Sequence, residues 1–139
     1  ANMGVSSVFG RCERNLESVI RSLHPGVEVM HFGEGTVTYN FAGQVTEANG
    51  SVKNHSFMAT IVDYRKASSC KQYDVAVTVT GDSDSLRNSV IDRIVKEANI
   101  EVLDIKPQRF TYCLKVGSNR APGQHDTRLG LGTPQIFLN

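Results

Sequence analysis

The chain is poor in the residues that announce most specialised classes of protein. It has no tryptophan, four prolines and three cysteines among 139 residues. Cys12, Cys70 and Cys113 are odd in number, widely spaced and without a C-x-x-C pair. That usage fits reduced thiols in an intracellular, reducing compartment better than a disulfide framework. No window approaches the ~18 apolar residues of a membrane-spanning helix. The N-terminus also lacks a basic region followed by an apolar run, so no signal peptide is read. His24, His31, His55 and His125 show no i, i+2 or i, i+4 pairing and none neighbours a cysteine. No metal or other cofactor is expected.

Motifs for catalysis and phosphate binding are equally scarce. There is no G-x-S-x-G nucleophile elbow. Gly33-Glu34-Gly35 lacks a third glycine and leads into a strand, while Gly130-Leu131-Gly132 runs into Thr133-Pro134. Neither can cradle a dinucleotide at a helix N-terminus, and both read as turns. Cys70 beside Lys66 and Lys71, or His125 beside Asp126, would carry the chemistry of a small enzyme. That reading ranks third.

What the chain does have is strong local periodicity. Tyr73, Val75, Val77 and Val79 alternate with Asp74, Ala76, Thr78 and Thr80, the period of a half-buried strand. Asp82-Ser83-Asp84-Ser85 opens a helix that presents Leu86, Val90, Ile91, Ile94, Val95 and Ala98 on one face. Asp82 and Asp84 suit the positive end of that helix, and Asn99 is a left-handed cap. Ile100–Ile105 reads as a following strand, and Phe110, Tyr112, Leu114 and Val116 as another. Upstream, Val27–Phe32 is a short strand, and Val37, Tyr39 and Phe41 mark the next. Asn49-Gly50 favours a hairpin turn. The return strand from Val52 to about Tyr64 is apolar on both sides and belongs in the middle of a sheet.

At the start, Ser6 and Ser7 are candidate N-caps for a helix running to about Leu23. On a helical projection Val8, Phe9, Cys12, Leu16, Val19, Ile20 and Leu23 share one side, with Arg11, Arg14 and Arg21 opposite. Pro25 and Gly26 stop it. These elements predict an α+β, two-layer domain over residues 1–116. It has a mostly antiparallel sheet with two amphipathic helices on one face, in the order α-β-β-β-β-α-β-β. The order resembles that of RWD-like and ferredoxin-like interaction domains, and the likeness stops at order. Residues 117–139, broken by Gly117, Gly123, Gly130, Gly132, Pro122 and Pro134, form an irregular basic and apolar tail.

Two partner classes follow. The tail ends in an apolar patch, Ile136, Phe137 and Leu138, which would dock on a protein partner or a second copy by strand addition at a sheet edge. A non-catalytic interaction or self-assembly module, and with it a homo-oligomer, is the leading expectation. The alternative is RNA or single-stranded nucleic acid. Residues 106–139 carry Lys106, Arg109, Lys115, Arg120 and Arg128 against Asp126 alone, with Phe110 and Tyr112 between them. That mixture suits phosphate contacts and base stacking.

Overall fold

The computed structural model describes residues 4–46, 55–67 and 72–105, with the backbone of residues 136–137. The elements are β1 (Gly4–Arg11), α1 (Leu16–Leu23), β2 (Glu28–His31), β3 (Val37–Thr46), β4 (Ser56–Asp63), β5 (Val75–Gly81), α2 (Asp84–Ala98), β6 (Glu101–Val102) and β7 (Ile136–Phe137). The six strands β2-β3-β4-β5-β1-β6 lie side by side in that order, every pair antiparallel. β7 is the exception and pairs in parallel with β3, Val45 opposite Ile136 and Thr46 opposite Phe137. The α+β class, the antiparallel sheet and the central place of β4 are as expected.

The first element is not. Residues 4–11, expected to begin a helix at Ser6, form a strand, and α1 starts only at Leu16 with Asn15 as its N-cap. Asn15 Oδ1 accepts the Ser18 N–H at 3.0 Å. The error has a physical cause: the seven residues Val5–Arg11 satisfy a helical and a strand period at once. Val8 packs into the main core, whereas Phe9 packs into a second cluster, as strand neighbours must. Gly10 decides the matter, because β6 passes so close that a Cβ there would collide with Glu101 O. The structured order is therefore β-α-β-β-β-β-α-β, with β1 inserted between β5 and β6.

One face of the sheet carries the core. Phe41 from β3, Phe57, Ala59 and Ile61 from β4, and Val75, Val77 and Val79 from β5 meet Leu16 and Ile20 of α1 and Leu86, Val90, Ile91 and Ile94 of α2. Truncating one of the larger of these to alanine costs about 2–5 kcal/mol. α2 ends as its sequence implies, with Asn99 left-handed at φ 53° and its N–H on the carbonyls of Lys96 and Val95. His24 closes α1: its N–H bonds Ile20 O at 2.8 Å, and its buried ring packs on Phe41. Nε2–H donates to Ala42 O at 2.9 Å.

The opposite face is uncharged across its middle. Ser7, Thr78, Thr60 and Asn40 occupy one register row over four strands. Ser7 Oγ lies 3.0 Å from Thr78 Oγ1, and Thr60 Oγ1 donates to Asn40 Oδ1 at 2.8 Å. Thr38, Asn40 and Thr60 of this face are buried. Near one end, Tyr64, Ala67 and Tyr73 pack with Val62 and Ala76, and Phe9 stacks on Tyr73 at 4.8 Å.

Candidate functional site

The most elaborated surface lies where β1 hands the chain to α1. Residues 12–15 make this connection, and two charged side chains from elsewhere hold it. From the start of β5, Asp74 Oδ2 accepts the Cys12 N–H at 3.0 Å. From the exit of β4, Arg65 donates through one terminal nitrogen to Cys12 O at 3.2 Å and Arg14 O at 2.8 Å. The rest of the Arg65 fork grips Asp63, Nε on Oδ1 at 2.9 Å and the other terminal nitrogen on Oδ2 at 2.8 Å. A planar fork meeting a carboxylate in this two-pronged way is fixed in direction. The hydrogen bonds to Asp63 also push the Arg65 guanidinium further above its ordinary range. Cys12 is buried, its thiol donating to Ala98 O at 3.5 Å. It acts as a small core residue.

Beside this pinned connection is a groove of about 400 Å³. One wall is the connection and first turn of α1, from Glu13 to Glu17. A second is the β2–β3 hairpin, with His31, Gly35 and Val37. A third is the β4 exit, with Asp63, Arg65 and Lys66. The hairpin sits tightly on that exit: Gly35 has φ +103°, and a Cβ there would lie 2.5 Å from Lys66 O. Only glycine serves at such a position.

Tyr39 completes the groove from below. Its side chain is 5% exposed and packs in the main core, yet it lines the groove. Its hydroxyl has no hydrogen-bond partner among the described residues. Burial raises its pKa above the ordinary 10.0, and the carboxylates of Asp63 and Glu17 raise it further against the opposing pull of Arg65 and Arg21. The group is a neutral O–H donor at physiological pH.

The charges of the groove divide into committed and free. Glu17 pairs with Arg21 at 3.0 Å and Asp63 with Arg65 at 2.8 Å. Among the described residues Arg14, Lys66 and His31 have no ion-pair partner, and neither has Glu13. Sequence reading saw Tyr39 only as a strand residue, Arg14 as the back of a helix and Lys66 only as a neighbour of Cys70. The available signal was the Asp63-x-Arg65 spacing at a strand exit, which places opposite charges within reach of each other.

The residues singled out from sequence fare differently. Ile136 and Phe137 lie in β7, their backbones against Val45 and Thr46 of β3, whereas Leu138 falls outside the described residues. β2 covers β3 only from Val37 to Asn40, so β7 takes a stretch of β3 that β2 does not reach. Lys106, Arg109, Lys115, Arg120 and Arg128 all fall outside the described residues, as do Cys70, Cys113 and His125. Helix α2 adds little to a basic surface. Arg87 is 7% exposed and its guanidinium is spent on Ser6 Oγ, Gly81 O and Asp84, while Arg93 pairs with Glu97 at 3.2 Å. Among the described residues no cluster of histidine, cysteine and carboxylate side chains could hold a metal, and no helix is long and apolar enough to cross a membrane. Comparison with known proteins finds no matching family model, curated protein or solved structure.

Proposed function

We propose that this chain is a non-catalytic association module that joins copies of itself by strand addition. Ile136, Phe137 and Leu138 form the docking segment, and β3 beyond Asn40 is the seat. The observation that supports the reading is the parallel pairing of β7 with Val45 and Thr46.

A strand edge offers rows of N–H and C=O groups that need partners. Such a row accepts any extended segment in register, from its own chain or a neighbour. A two-residue strand contributes few hydrogen bonds, so the segment exchanges readily between the two. Reciprocal exchange puts the same contact on both copies and closes a two-fold dimer.

Light scattering after size exclusion tests this, using the full chain over a range of concentrations beside a variant with Ile136→Pro and Phe137→Pro. Proline has no amide hydrogen and cannot complete the ladder. A discrete oligomer that becomes monomeric in the variant supports the proposal. A full chain that stays monomeric throughout, or a variant that keeps the oligomer, rejects it.

A further inference from the structure

The groove at the start of α1 lies toward the opposite end of β3 from the β7 seat and calls for a separate account. Donors that nothing in the described structure uses converge on it. Tyr39 brings a hydroxyl from an otherwise buried side chain. Leu16 and Glu17, in the first turn of α1, bring backbone N–H groups that precede the first helical acceptor. Arg14 and Lys66 bring two uncommitted cations. Against these stand three carboxylates: Glu13, without an ion-pair partner among the described residues, and Asp63 and Glu17, each paired with an arginine.

We propose that this groove binds a small molecule through an oxyanion, a carboxylate or a phosphate, held by the Tyr39 hydroxyl, the first turn of α1, Arg14 and Lys66. The unpartnered hydroxyl carries most of the weight. A phenol kept in the core for packing alone would be replaceable by phenylalanine. Here the ring is 5% exposed and the residue lines a cavity. Its raised pKa keeps the proton in place, so it donates. The first turn of α1 adds oriented N–H groups that favour negative charge. Arg65 and Asp74 fix the connection leading into that turn, so the donors are set before any ligand arrives. Pre-set donors lose little freedom on binding. The volume, about 400 Å³, falls within the range of small-molecule sites.

The experiment is a titration of the isotope-labelled full chain, followed through the backbone amide signals of Leu16 and Glu17 and the ring signals of Tyr39. Inorganic phosphate is the probe in one arm and succinate in the other. Saturable shifts at these three residues with either anion support the proposal, and the arm that saturates at lower concentration names the oxyanion class. Tyr39→Phe should weaken binding by about ten- to a hundredfold, the worth of one hydrogen bond to a charged acceptor, without changing the melting temperature. Arg14→Gln with Lys66→Gln should abolish saturation. The proposal is overturned if neither anion gives saturable shifts, if Tyr39→Phe binds as tightly as the parent, or if the double variant retains the parent affinity.

Discussion

The two helices of this fold begin in opposite ways. At the start of α2 the arginine is fully committed. Ser83 Oγ accepts the Leu86 N–H at 3.0 Å, and Arg87 reaches back from the first turns to tie the helix to β1 and β5. At the start of α1 an arginine also does the tying, but Arg65 comes from the β4 exit and grips the backbone from one side. The other side keeps its donors free. The same residue type therefore seals one helix entrance and, placed one element away, holds the other open. What an arginine does is decided by where its fork is satisfied, a fact that composition cannot carry.

The sharpest way to break this comparison is at the sealed entrance. Arg87→Ala should cost about 3 kcal/mol in chemical denaturation, because it strands Gly81 O and opens a space in the packed layer. Arg87→Met should lose less, since the aliphatic stem keeps its packing. A loss under about 1 kcal/mol for Arg87→Ala would mean the seal is ornamental.

At the open entrance the effect should be smaller. Arg65→Ala is expected to cost about 2 kcal/mol and to speed amide hydrogen exchange across residues 12–18. Arg65→Lys should not restore protection, because an ammonium cannot grip Asp63 and two carbonyls in one plane. Full rescue by lysine would reduce the fork to a point charge.

The smallest effect belongs to Tyr39→Phe, which should leave stability at neutral pH within about 0.5 kcal/mol. Its signature lies in alkali. The folded state raises the Tyr39 pKa above its unfolded value near 10.0. The corresponding stability is complete below that value and is lost as pH rises through the folded one. Tyr73, raised by burial, acts in the same direction. Unfolding followed across alkaline pH should show a decline that Tyr39→Phe makes shallower. An identical decline would place the hydroxyl in open solvent.

Much of the fold could be read from local pattern, and the site could not. The valines of β5, the Ser83 and Asn99 ends of α2 and the doubly apolar β4 each declare themselves within a dozen residues. β1 does not, because Val5–Arg11 fits two periods and the choice is made by β5 and β6, far away in sequence. The groove is harder still. It draws on residues 13–17, 31–39 and 63–66, each unremarkable in its own segment, and only the sheet brings them together. The donors that matter there are defined by what fails to meet them, and a missing partner leaves no trace in a linear chain.

The insertion of β1 also has a consequence in time. Its partners in β5 lie between 65 and 77 residues further along the chain, from Gly10 opposite Val75 to Gly4 opposite Gly81. β1 leaves the ribosome before β5 and must wait for most of the sheet before it has a slot. Pairings of such long sequence separation slow folding, and a waiting strand with Val5, Val8 and Phe9 is adhesive. β1 is made before the strands it joins, yet it is among the last that can be placed.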